Sequence, residues 1–301
     1  IAYEEGIANP ILLGNKEVIQ ELKKELEFDA DVLIIDPKDE DSEGKRKNYA
    51  TKFFEARKRS GVTLYGANTK MRERNYFGAM MVMEGDADGM ISGHSRAYAN
   101  VVKPIFEVIG KANNVSKAAT AHIMITQRGP LILSDTSINI DPNSEELAEI
   151  AQMTANLGVA FGFDPVLALL SYSNFGSSNH PHAVKVREAI KILHARNPEL
   201  VVDGEIQTDF ALNKKLRKSQ FPFSTLGGKK VNTLIFPNLE SANITYKLLK
   251  ELHAADSIGP IMLGLRKAVH VLQLGASVEE MVNMTAVAVI DAQEREKRRK
   301  V

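Results

Sequence analysis

Hydroxyl and amide side chains gather in a few short loops of this chain, and the chemistry they suit is holding a ligand. The run at 171–180, SYSNFGSSNH, sets Ser173, Asn174, Ser177 and Ser178 around Gly176 and leads into a helix. Backbone N–H groups at such a junction, with the positive end of a helix dipole behind them, suit phosphate or pyrophosphate. A second loop, PNLESAN at 237–243, offers Asn238 and Asn243, with Lys247 one helical turn beyond Asn243. Capping of the following helix and ligand binding are both open there. His94 and Ser95 follow a short strand end, the place where ligands of α/β sheets bind. Ser134-Asp135-Thr136 is a polar patch on an otherwise apolar strand, whereas His122 alternates with apolar neighbours and reads as a satisfied core residue.

Other chemistries lack their signatures. There is no G-x-S-x-G elbow, no H-E-x-x-H helix and no G-x-G-x-x-G fingerprint. Gly227-Gly228-Lys229-Lys230 precedes a strand and is not a P-loop. His180 and His182 point different ways from one helix start, which argues against a metal pair. Asp86 and Asp88 in GDADG read as turn residues, since the spacing is not that of a calcium loop. With no cysteine in 301 residues, thiol catalysis, thiolate metal sites and disulfides are excluded. Lys and Arg total 38, as do Asp and Glu, so no net charge favours nucleic acid or an acidic membrane. No apolar run reaches the roughly 18–20 residues that span a bilayer. The opening segment carries no basic-then-apolar leader pattern and reads as a helix tail entering a strand, which suggests a piece of a longer protein.

The elements that must position these loops follow from periodicity. Helices are expected at 16–26, 46–59, 69–83, 97–110, from Asp141-Pro142 to Gly158, and at 180–196, 206–218 and 240–254, with a linker at 61–68. Strands are expected at 31–36, as a short run after the GDADG turn ending at Gly93, on both sides of 127–130, and at 165–173, 200–204, 231–237 and 257–264. Ser277 and Glu280 form a capping box for a last, buried helix reaching Gln293 and a solvated basic end. Alternating buried strands and helices imply an α/β protein, mainly parallel, with helices on both sheet faces.

Five motifs then converge: GDADGMISG, ALLSYSNFGSS, VDGEIQTDFAL, VNTLIFPNLESANITYK and IGPIMLGLRKAVHVL. In order and spacing they resemble the phosphate acetyl/butyryltransferase (phosphotransacetylase) family over nearly the whole chain, less the family's opening strand and part of its first helix. The end, KAVHVLQLGASVEEMVNMTAVAVIDAQ, with FGSS and SEELAEI, is similar to the C-terminal transacetylase-like domain of multidomain NADP-dependent malic enzymes. The resemblance implies a two-subdomain fold of the isocitrate/isopropylmalate dehydrogenase type with a cleft between subdomains. One subdomain would be 1–139 plus 264–301, and the other an inserted 140–263.

Carried over residue by residue, the resemblance also implies a role. Active members have Ser-Arg-Gly where this chain has Gln273-Leu274-Gly275. Gln273 cannot act as a base near neutral pH, and Leu274 cannot bind a phosphoryl group. The family's acidic residue falls at Glu280, its Arg before Pro at Lys103, and the Lys of its N-I-x-Y-K run at Lys247. Lys103 keeps the charge without the guanidinium fork. The expectation is a non-catalytic regulatory domain, with no cofactor or metal of its own, that binds acetyl-CoA as an allosteric effector, an inhibitor. The effector would meet loops 94–103, 127–136, 171–178, 238–247 and 270–275, through His94, Ser95, Lys103, Arg128, Ser134, Ser173, Asn174, Gly176, Ser177, Asn238, Asn243, Lys247, His270, Gln273, Leu274 and Gly275. NADP and a divalent Mg or Mn ion would belong to a malic enzyme module of the same polypeptide, in a cytoplasmic homo-oligomer. The alternatives are an active phosphate acetyltransferase and a purely structural oligomerisation module.

Overall fold

The computed structural model describes residues 1–94 and 98–300. In chain order its elements are β1 (Ile11–Leu13), α1 (Lys16–Glu25), β2 (Leu33–Ile35), α2 (Glu43–Arg57), α3 (Leu64–Lys70), α4 (Arg74–Glu84), β3 (Gly89–Ser92) and α5 (Tyr98–Val108). Then come β4 (Ala119–Thr126), β5 (Gly129–Ser134), α6 (Ser144–Ala160), β6 (Val166–Leu170), α7 (Pro181–Arg196), β7 (Val201–Ile206), α8 (Thr208–Leu212) and α9 (Lys214–Gln220). The chain closes with β8 (Thr233–Ile235), α10 (Leu239–Glu251), β9 (Ala255–Leu263), β10 (Ala268–Val271) and α11 (Val278–Lys300).

Two compact units result, Ile1–Gly110 with Leu265–Val301, and Lys111–Gly264. The first holds two small parallel sheets, β1 with β2 and β3 with β10. The second is a six-stranded sheet in the order β7-β6-β8-β5-β4-β9. There β6 pairs in parallel with β7 and β8, and β8 with β5, while β4 runs antiparallel to both β5 and β9. Segment 111–139, expected in the first subdomain, lies in the second unit. The cause is register: Ile132, Leu133 and Ser134 pair with Thr233, Leu234 and Ile235, so the β4–β5 hairpin is built into the larger sheet.

Local boundaries moved where a side chain supplied a cap. The expected linker at 61–68 instead starts α3, because Thr63 Oγ1 accepts the Gly66 N–H at 3.0 Å. The single helix expected at 206–218 is split at Asn213, whose side chain accepts from Leu216 N–H and so begins α9. Asn143, not Asp141, caps α6, through a reciprocal box with Glu146. The box read at Ser277 and Glu280 is present, with contacts of 2.8 and 3.1 Å. Helix α11 buries one face rather than all of them: Met284, Val287 and Ala288 are covered.

Core and polar centre meet in the larger sheet. Met124, Leu133, Ala168, Ile206 and Leu234 are buried together. Beside them His122 is buried, with Nδ1 2.8 Å from Thr136 Oγ1 and its ring stacked on Tyr246 at 4.1 Å. Among the described residues no helix is long and apolar enough to cross a membrane.

Gly93 ends β3 where two backbones nearly touch. A Cβ there would lie 2.3 Å from Leu272 O, and φ is +137°, a region L residues rarely adopt. Gly93→Ala is therefore expected to cost at least about 2–3 kcal/mol by urea denaturation. A loss under about 0.5 kcal/mol, the range of neutral surface changes, would contradict the close approach.

Candidate functional site

In the second unit the strand-end loop after β6 is organised by one carboxylate. Glu205 lies on β7, and its side chain is fully buried. It accepts from Ser173 Oγ at 2.9 Å, Gly176 N–H at 2.8 Å, Arg187 Nε at 3.0 Å and Arg187 Nη2 at 2.9 Å. Burial pushes this carboxyl up, but the Arg187, Gly176 and Ser173 bonds outweigh it and hold the group below its ordinary value.

That arrangement changes what the loop can offer. Every backbone N–H from Ser173 to Ser178 is already bonded. Ser173 donates to Ser171 Oγ, Asn174 to Ser177 Oγ and Phe175 to Glu205 O. Gly176 donates to Glu205 Oε1, Ser177 to Asn174 O and Ser178 to Ser173 Oγ. The donors read as a phosphate cradle are taken up by the protein's own carboxylate, carbonyl and hydroxyl oxygens. Ser173 is buried, and Asn174 Oδ1 holds Gln207 N–H at 2.8 Å. Ser177 and Gly176 are exposed, with φ +89° at the glycine.

The loop after β5 is built likewise on Asp135. Its Oδ1 accepts from Thr120 N–H at 3.0 Å and Thr120 Oγ1 at 2.5 Å, and its Oδ2 from Asn139 N–H at 2.8 Å. Ser134 is buried and donates to Thr120 O. Asn238 caps α10 by accepting Ser241 N–H at 3.0 Å. Asn243 Nδ2 donates to Thr136 O at 3.1 Å, tying α10 to that same loop. Arg128, in the β4–β5 turn, and Lys247, on α10, are exposed.

In the first unit, the parallel ends of β3 and β10 carry the other candidates. Leu272 N–H donates to Ser92 O at 2.7 Å and Gly275 N–H to His94 O at 3.0 Å, so the two following loops are laced together. Leu274 is 73% exposed, Gly275 takes φ +75°, and Gln273 is half-buried. Lys103 on α5 is exposed, 4.0 Å from Glu107. His270, expected at the ligand, is buried on β10 with Nε2 3.4 Å from Asp291 of α11. Burial raises the Asp291 carboxyl, and His270 and Arg295 together bring it below its ordinary value. Ser95 lies outside the described residues. Asp86 accepts from Tyr49 Oη and pairs with Lys45 at 3.2 Å, in keeping with its reading as a turn residue.

Sequence reasoning missed Glu205, Arg187 and Asp203. Their signal was an acid on a buried strand: VDGEI continues β7 through Glu205, where the strand was expected to stop at Gly204. Asp203 accepts from Ser224 Oγ and Thr225 N–H, both at 2.8 Å, and anchors the excursion after α9.

Comparison with known proteins places this two-unit α/β chain in a family. The model of the family described as phosphate acetyl/butaryl transferase matches residues 1–289, and the chain belongs to that family. It is 37% identical to a phosphate acetyltransferase of Thermoanaerobacterium thermosaccharolyticum, across 97% of this chain and 90% of that protein. It is 38% identical to an NADP-dependent malic enzyme of Escherichia coli (strain K12), across 96% of this chain. There it spans only 38% of the relative's length. Among solved structures, a phosphotransacetylase from Streptococcus pyogenes superposes with a TM-score of 0.87 at 37% identity, covering 98% of this chain and 88% of that one.

The Glu205 cluster sets a pH dependence. Its folded-state pKa is depressed, so its stabilisation is complete above the ordinary value near 4.5 and is lost as pH falls through the lower folded value. Glu205→Gln is expected to cost about 3 kcal/mol at pH 7, since Arg187 loses its partner. It should also flatten the acid limb of the stability–pH curve measured by urea unfolding; an unchanged acid limb would show that other groups carry it.

Proposed function

We propose that this chain is a regulatory member of the phosphate acyltransferase family that binds acetyl-CoA without turning it over. The observation that carries the reading is Gln273-Leu274 in the loop after β10. An amide and an aliphatic side chain stand there, the latter 73% exposed, and neither can take a thiol proton or bind a phosphoryl oxygen. In the second unit the saturated N–H groups of 173–178 also leave little to cradle a free acyl phosphate. Within the first unit, ligand contact then falls to side chains with reach, namely Lys103 and Gln273. By this reading the parent polypeptide is an NADP-dependent malic enzyme, converting malate to pyruvate with NADP and a divalent metal in another module, and acetyl-CoA inhibits it. Differential affinity of acetyl-CoA for two quaternary states would transmit the effect.

An oligomer has its own support. Ile244, Leu248 and Leu252, spaced four residues apart, form one stripe along and just beyond α10, and they are 64%, 55% and 67% exposed. Such an apolar stripe suits a second copy of the chain. Leu248→Glu is expected to lower the sedimentation mass to that of a protomer, and an unchanged mass would exclude this face.

The second reading is a working phosphate acetyltransferase, favoured by 37% identity over 90% of the length of one such enzyme. Calorimetric titration of acetyl-CoA beside an assay of phosphate-dependent CoA release separates the two. Binding without release is expected; release at transferase-like rates would overturn the regulatory reading, and neither binding nor release would leave a structural module. In the double variant Gln273→Ser, Leu274→Arg, release should rise by at least about 100-fold, the usual scale of one general-base or charge-stabilising group.

A further inference from the structure

At the end of β3, Ser92 donates through Oγ to Asn75 Oδ1 at 2.8 Å. Asn75 is the second residue of α4 and only 7% exposed, and its Nδ2 is buried with no hydrogen-bond partner among the described residues. Buried amide donors are satisfied in the great majority of cases, and leaving one unmade lowers stability. The packing gives no return for it, because the link to Ser92 uses only the oxygen.

Its place in the fold supplies a reason. Glu73, the N-cap residue of α4, makes no side-chain cap hydrogen bond, so the first N–H groups of this helix are not taken up by it. Both atoms of the amide hang from one carbon, so the orphan N–H group also lies at the end of β3. There Leu272 N–H meets Ser92 O at 2.7 Å, and Gln273 follows directly. The orphan donor, the helix start and the 272–276 loop therefore share one strand end within the first unit. The donor has no hydrogen bond to give up, so an acceptor admitted by local opening of the strand end would complete one.

We propose that Asn75 is a ligand-binding residue, its Nδ2 donating a hydrogen bond to an acceptor oxygen of an acyl-CoA at the joint end of β3 and β10. The proposal rests on the reading that this chain binds acetyl-CoA. It adds a residue outside the loops that the sequence singled out, one that gives up stability in the free protein for a bond completed on binding. A merely structural Asn75 would behave differently, since its loss would leave affinity untouched.

Two variants separate donor from scaffold. Asn75→Asp keeps an acceptor for Ser92 Oγ and removes the donor, whereas Asn75→Ala removes both. Acetyl-CoA and free CoA are titrated by calorimetry into wild type and both variants, with thermal unfolding recorded for each. Acetyl-CoA affinity is expected to fall at least about tenfold in both variants. A loss confined to acetyl-CoA identifies the thioester carbonyl as acceptor, and an equal loss for CoA identifies an oxygen elsewhere in the ligand. Asn75→Ala should melt lower than Asn75→Asp, because it also leaves Ser92 Oγ without its acceptor. In wild type the Asn75 side-chain amide resonance should move downfield on saturation with acetyl-CoA, a readout that does not depend on the variants folding. Affinity within about twofold of wild type in a folded variant, or an unmoved amide resonance, overturns the proposal. A wild type that does not bind acetyl-CoA removes the functional reading and this inference with it. Binding that the variants leave intact removes only the inference.

Discussion

A carboxylate taken out of water must be surrounded by donors, and in the second unit Glu205 imposes that requirement on everything near it. Its oxygens draw in Ser173, Gly176 and both nitrogen groups of Arg187. The loop after β6 takes the path that delivers them, down to a left-handed backbone at Gly176 and at Phe175, where φ is +43°. A side chain at such a φ costs energy and persists only where the surroundings over-determine it. Here they do: Phe175 N–H is bonded to Glu205 O, and its ring lies 4.9 Å from Phe221 and 5.0 Å from Phe223.

Asp135 repeats the device after β5. One carboxylate gathers Thr120 from β4 and Asn139 from the loop, and Asn139 Nδ2 in turn reaches Ala118 O at 2.9 Å. Together the two acids make the strand-end loops of the larger sheet rigid and internally saturated. A loop of that kind presents a shape and a few outward side chains, not a set of free N–H groups. The loop after β10, in the first unit, presents an amide and a leucine at Gln273 and Leu274.

The family relation and the proposed loss of catalysis are compatible because fold and chemistry reside in different residues. The alternating buried strands, the capping boxes and the turn glycines serve packing and set the fold. Catalysis depends on very few groups at one strand end. The fold tolerates different residues at one of these positions, since Leu274 projects into solvent. A domain can thus keep a ligand-shaped surface while its reactive groups are exchanged.

What could be read from the chain was whatever local chemistry dictates. The β/α rhythm, the box at Ser277 and Glu280, the hairpin turn at 127–130 and the core character of His122 are set by neighbours a few residues apart, and the motif order was enough to expose the family. Helix starts at Thr63, Asn143 and Asn213 were also present as local signals and were placed wrongly, because capping competes among adjacent polar residues. The tertiary structure alone decided the rest. Which strands neighbour β5 depends on register across distant segments, and that moved 111–139 into the larger unit. Whether Ser173 or Gly176 has a free donor depends on Glu205, some thirty residues away. The burial of His270 against Asp291 and the unpaired amide of Asn75 beside Ser92 likewise arise only when separate segments meet, because satisfaction of a buried polar group is a property of its surroundings and not of its own position in the chain.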